Sequence, residues 1–137
     1  RLVKSHKIYF LDTGILRYLV GLRDGAHAAA GPMGGAIFEN LVVSDLYKIY
    51  THRGEEPALY YWRTAAGAEV DVVIDVQGRL IPLEVKLSAT PRLEMAQELL
   101  RFRRDFQEKA GPGYVIHPGT MSLPLGPGVQ SYPLDNL

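Results

Sequence analysis

Residues Glu69 to Lys86 read EVDVVIDVQGRLIPLEVK, two alternating runs either side of Gln77-Gly78, and their pairing decides the fold. A two-residue turn at Gln77-Gly78 predicts an antiparallel hairpin that pairs Val76 with Arg79 and Val73 with Pro82. The same register sets Asp71 opposite Glu84 and Glu69 opposite Lys86, and it leaves Val70/Val85, Val72/Leu83 and Ile74/Ile81 on the reverse face. A slip of one residue would set Asp71 against Leu83 and mix both faces, so the apolar pattern itself selects the register. Two carboxylates and an ammonium are then expected on one side of a short ribbon.

Like charges directly opposed on a hairpin destabilise it. At an effective dielectric near 20, two unit charges about 5 Å apart repel by roughly 3 kcal/mol. The remedies are a proton on one acid, the ammonium of Lys86, or a bound metal ion. Oxygen ligands in a chain with no cysteine and no paired histidines suit Mg²⁺ or Mn²⁺ better than zinc. A metal-polarised water beside Lys86 is a reagent for attacking a phosphodiester, and both cations would stabilise charge on the phosphoryl oxygens. Lysine two residues after glutamate returns to the same strand face.

Further upstream, AIFENLVVSDLYKIY has helical periodicity, with Phe38, Leu41, Val42, Leu46 and Ile49 in one apolar arc and Asn40, Ser44 and Lys48 opposite. Glu39 falls inside the apolar arc, where a carboxylate needs a partner or a proton. Asp71 followed by Glu84-Val85-Lys86 across a hairpin resembles the PD-(D/E)xK nuclease superfamily, although Val70 stands where that motif has proline. The resemblance implies that Asp71 and Glu84 hold metal, that Lys86 assists the water, and that an acid from an early helix, here Glu39, completes the site. The Val85 carbonyl is a further candidate ligand. In their order, KIYFLDTGI, GAIFENLV, YYWRT, EVD and IPLEVK resemble the domain of unknown function that follows the ATPase core in many prokaryotic AAA-type ATPases. That resemblance spans Lys7 to Leu134 and implies a C-terminal module of an ATP-binding parent, acting on nucleic acid, DNA foremost. The chain begins at Arg1 and carries no GxxxxGK[ST] loop, so an N-terminal AAA-type ATPase domain is expected elsewhere in the parent.

Its 137 residues, 47% hydrophobic, suit a single domain over 1–137. Without an apolar run of membrane-spanning length or a signal-peptide pattern, the expectation is a cytoplasmic domain with no membrane partner. Fifteen basic and 15 acidic residues give no global basic field, so nucleic-acid contact would depend on local patches. The expected elements are a strand at Lys7–Leu11, a helix from Asp12 or Thr13 to Val20 ended by Gly21, and a loop at Gly25–Gly35. A helix over Ala36–Tyr50 follows, then strands at Ala58–Thr64, Ala68–Val76 and Arg79–Leu87. Thr90-Pro91 reads as the start of a helix to about Lys109, with Met95, Leu99, Phe102 and Phe106 as its buried stripe. Tyr114–His117 is expected to run parallel to the third strand through that helical crossover, and Val129–Pro133 to be a last extended stretch. The expected fold class is α/β, a central mixed sheet of antiparallel meander plus parallel strand flanked by helices, and the PD-(D/E)xK resemblance implies that it is restriction-endonuclease-like.

In YYWRT, Tyr60 and Trp62 read as sheet packing. Arg63 enters the meander close to Glu69 and is a candidate for orienting the acids or a phosphate. Arg101, Arg103 and Arg104 read as a solvated helix surface, with Arg101 and Arg104 the secondary candidates for nucleic-acid contact. The four histidines lack metal spacing and read as structural or exposed. Two functions follow: a Mg²⁺-dependent nuclease module, or a catalytically inactive domain that directs an ATPase to nucleic acid or protein.

Overall fold

A computed structural model describes residues 7–19 and 29–137, which fall into two compact units, Ala58–Leu137 and a second within His6–Pro57. The larger unit is a five-stranded mixed sheet in the order β1-β2-β3-β4-β5: Leu59–Arg63, Glu69–Val76, Arg79–Val85, Gly113–His117 and Val129–Pro133. The first three strands are antiparallel, and β4 and β5 are added in parallel. The α/β expectation of a meander extended by a parallel strand holds, and β5 extends the parallel part by one more.

The hairpin turn forms as its two residues demand. Gln77 and Gly78 both have positive φ, 53° and 86°, the primed turn that matches strand twist. The Asp75 carboxylate accepts the Gly78 N–H at 2.8 Å. From the turn, the register runs Val76–Arg79, Asp75–Leu80, Ile74–Ile81, Val73–Pro82 and Val72–Leu83, as the pattern predicts.

The crossover helix starts later than Thr90-Pro91 suggests. Arg92 is extended, Leu93–Ala96 forms a 3₁₀ turn, and the α-helix covers only Gln97–Phe106. In chain order this is α3, after α1 (Thr13–Leu19) and α2 (Gly34–His52). Met95, Leu99 and Phe102 are buried, and with Val70, Val73, Val115 and Val129 they form one core. Trp62 meets Phe102 edge-on, with centroids 5.4 Å apart, as sheet packing requires. Tyr60 does not pack, being 60% exposed on the outermost strand.

Arg103 is no surface cation. Its Nε donates to the Gly111 carbonyl at 3.0 Å and Nη1 to the Pro127 carbonyl, which fastens α3 to two loops. Gly128, at φ 71°, leaves room for that guanidinium; a Cβ there would collide with it. His117 is fully buried and structural: Nε2 donates to the Met121 carbonyl at 2.8 Å and Nδ1 accepts the Gly119 N–H at 3.1 Å. Ser131 donates to the same Met121 carbonyl and accepts from the Leu123 N–H, so two buried side chains hold the connection into β5.

In the smaller unit, Asp12 caps α1 by accepting the N–H groups of Gly14 and Ile15. Val20, Gly21 and residues 25–28 of the expected loop lie outside the described residues. The Lys7–Leu11 stretch is not a strand. Its Phe10 backbone is satisfied by Asn40, whose side chain accepts the Phe10 N–H at 2.7 Å and donates to the Phe10 carbonyl at 2.9 Å. Asn40 thus supplies both bonds that a neighbouring strand would have supplied. This corrects the helix reading too, because Asn40 and Ser44, expected on the polar side of α2, are buried at 3% and 1% exposure.

Candidate functional site

The regular β2–β3 pairing stops at Val72–Leu83. The expected backbone pairs Asp71–Glu84, Val70–Val85 and Glu69–Lys86 are absent from it. At the same residues the pairing of β2 with β1 is irregular as well. There Tyr60 pairs with Val73 and Trp62 with Val70, so one residue of β1 faces two of β2, a bulge at Asp71-Val72. The bulge also breaks the predicted alternation. Val70 and Val73, three residues apart, both join the core with α3, whereas strict alternation would send them to opposite faces.

Where the ladder ends, a side chain replaces it. The Asp71 Oδ2 accepts the Val85 N–H at 2.8 Å, while β3 passes on to pair Glu84 with Val115 and Val85 with Ile116. The adjoining Lys86 N–H donates to the Ile116 carbonyl at 2.9 Å. A main-chain N–H of β3 thereby helps to hold Asp71 in place.

Glu84 is buried, with 6% exposure, and hydrogen-bonds to the Asp71 carboxyl. Burial chiefly, then the hydrogen bond to Asp71 and its charge, raise the Glu84 carboxyl to about 10; Lys86 opposes the shift and Glu69 adds to it. At neutral pH this acid therefore keeps its proton and donates it to Asp71. In the metal-free chain that proton relieves the repulsion between the two carboxylates.

Lys86 is exposed beside the pair. Arg63 stands opposite Glu69 in the β1–β2 register, its Nε 3.9 Å from the Glu69 carboxylate. Arg101 is paired with Glu98 at 3.8 Å, and Arg104 is exposed, both on α3. Glu39 belongs to the smaller unit, half-buried on α2, where the Lys7 ammonium reaches its Oε1 at 3.3 Å. The apolar arc predicts a carboxylate that needs a partner, and Lys7 is one such partner. Sequence reading missed the hold of Val85 on Asp71, for which the chain carries no local signal.

Among the described residues, no three His, Cys, Asp or Glu side chains gather into a metal-holding group. Two carboxylates in contact nevertheless fit magnesium, which keeps several waters and takes one or two carboxylates from a protein. No helix among the described residues is long and apolar enough to cross a membrane.

Two curated relatives, uncharacterized proteins of Mycobacterium bovis and Mycobacterium tuberculosis, are each 30% identical over 134 residues. The match covers 98% of this chain but 29% of each relative, so the chain spans less than a third of their length. A family model described as a domain of unknown function, DUF4143, matches residues 34–137, which includes the whole sheet. The chain belongs to the DUF4143 family.

Proposed function

We propose that this domain is a Mg²⁺- or Mn²⁺-dependent phosphodiesterase of the PD-(D/E)xK kind, acting on nucleic acid, DNA foremost, within a larger AAA-type ATPase. The observation that carries the reading is the contact between Asp71 and the buried Glu84 carboxyl beside Lys86. Perturbed acids of this kind concentrate at functional sites.

Asp71 and Glu84 would hold the metal, with the Val85 carbonyl as a further ligand; Glu39 enters as third acid through the resemblance alone. When bound, the ion would supply a polarised water and positive charge for the phosphoryl oxygens. Asp71 presents a fixed carboxylate because Val85 N–H holds one of its oxygens. Glu84 must release its proton to act as a ligand, so metal binding is coupled to proton release and strengthens as pH rises. Lys86 would orient that water and, as an ammonium, face the charge that develops on the phosphorus oxygens. The share of each relative that the match covers supports a multi-domain parent.

Plasmid and single-stranded substrates incubated with the protein and Mg²⁺ or Mn²⁺ test this reading. Cleavage should vanish in Asp71→Ala and Lys86→Ala; cleavage unchanged in both would overturn it. A second reading, a catalytically inactive domain that binds nucleic acid or protein, is favoured by the zero net charge. It predicts no Mn²⁺ binding that depends on Asp71 and Glu84, which calorimetric titration measures.

A further inference from the structure

We propose that residues 8–18 form a docking face for an apolar surface on the remainder of a longer parent polypeptide. The inference rests on the multi-domain parent of the preceding reading and is independent of the roles given to Asp71 and Glu84.

Ile8, Phe10, Leu11, Ile15 and Tyr18 are all exposed in this one stretch, Ile8 and Tyr18 at 84% and 82%, Leu11 and Ile15 at 52% and 53%. Elsewhere among the described residues, exposed large apolar side chains stand singly along the chain, which is ordinary; a cluster of them marks an interaction surface. The stretch is also anchored. The Asn40 side chain holds the Phe10 backbone at both its N–H and its carbonyl and reaches the Thr13 Oγ1 at 3.2 Å, which fastens it to α2. Asp12 caps α1, where Ile15 and Tyr18, three residues apart, share one side of the helix and Leu16 is half-buried. A backbone held in this way keeps its apolar side chains ready for a partner, so little ordering is left to be done on binding.

The chemistry of the face selects its occupant. The Lys7 ammonium is engaged by Glu39 and the Asp12 carboxylate by two backbone N–H groups, so among the described side chains the attraction left is burial of apolar surface. The relatives indicate where a matching surface comes from. Their match takes in 98% of this chain and so runs through residues 8–18, whereas the family model begins at residue 34. The face therefore lies in matched chain ahead of the family domain, and each relative carries more than twice as much chain outside the match as within it. A surface on the same polypeptide is present at high effective concentration, which favours it over a second copy or a separate protein.

Photo-crosslinking in the intact parent polypeptide tests the assignment, with p-benzoylphenylalanine substituted at Ile8 or at Tyr18 and isotope-labelled copies mixed in to separate contacts within a molecule from contacts between molecules. Crosslinks should join both positions to peptides of the same molecule outside residues 1–137, equally at low and high salt, because the contact is apolar. The double substitution Ile8→Asp with Ile15→Asp should raise deuterium uptake across residues 8–18 of the parent about tenfold and abolish the Tyr18 crosslinks. Its circular dichroism should stay that of the wild type, since both side chains are exposed; should that variant not fold, the crosslinks of the singly substituted parents decide the case. Crosslinks only between copies, only within residues 1–137, or to nothing would overturn the proposal. Crosslinks as expected in a parent that neither binds Mn²⁺ nor cleaves DNA would overturn the cleavage reading and leave the docking face standing.

Discussion

The two ends of the β2–β3 hairpin solve the same problem in different ways. At the turn end, backbone pairs with backbone from Val72–Leu83 to Val76–Arg79, and Asp75 only trims the turn by accepting the Gly78 N–H. At the open end the ladder stops, and Asp71, four residues earlier in the same strand, takes the Val85 N–H with its own carboxylate. Both bonds are 2.8 Å long. Their surroundings differ: the turn is solvated, whereas the open end lies beside a buried acid that shares its proton. The hairpin is regular at its turn, and at its open end the β1–β2 bulge and the end of the β2–β3 ladder fall together at Asp71-Val72, where the charged groups lie.

Removing each aspartate in turn breaks this comparison most directly. Asp71→Ala should abolish Asp71-dependent Mn²⁺ binding and lower stability by about 1–3 kcal/mol, since it orphans the Val85 N–H beside a buried acid. Asp71→Asn keeps an acceptor for that N–H, so it should lose metal binding with most of the stability retained. Calorimetry with Mn²⁺ and urea denaturation report the two effects separately, and equal stability losses in the two variants would remove the structural role of Asp71.

Glu84→Gln sharpens the contrast through pH. The Glu84 carboxyl is raised on folding, so its proton stabilises the native state fully below the unfolded value of 4.5, and that contribution is lost as pH rises toward about 10. Metal-free wild type should therefore lose stability between pH 5 and pH 9, to a degree that Glu84→Gln does not. Thermal melts at several pH values should show the variant's advantage widening steadily as pH rises. Parallel curves for the two proteins would mean that Glu84 is ionised throughout.

At the turn end the effects should be small. Asp75→Ala should cost only about 0.5 kcal/mol, because water replaces the carboxylate at an exposed N–H. Gln77→Gly should be neutral or stabilise by about 0.5 kcal/mol, as Gln77 has φ 53° and glycine adopts that conformation freely. Denaturation midpoints measure both, and a loss above 2 kcal/mol at either position would erase the distinction between the ends.

Much of this was legible in the chain. The Gln77-Gly78 turn and the five pairs nearest it follow from alternation and a two-residue loop, both local properties. The parallel placement of β4 follows from a helix-length crossover. The Thr90-Pro91 start failed because Pro91 is buried ahead of an extended Arg92, so burial outweighed its preference for a first helical turn. The Lys7–Leu11 strand failed because its backbone partner is Asn40, 30 residues away.

The sequence by itself determined the candidate acids and lysine, the turn that brings them together, and the apolar stripe of α3, because each is written in residue type and short-range period. Only the tertiary structure decided that β2 bulges at Asp71-Val72, that Asp71 holds β3 by the Val85 N–H, and that Glu84 is buried with its proton. Those features arise from how three strands meet and how much water is excluded there. Neither quantity has a local signature in the chain.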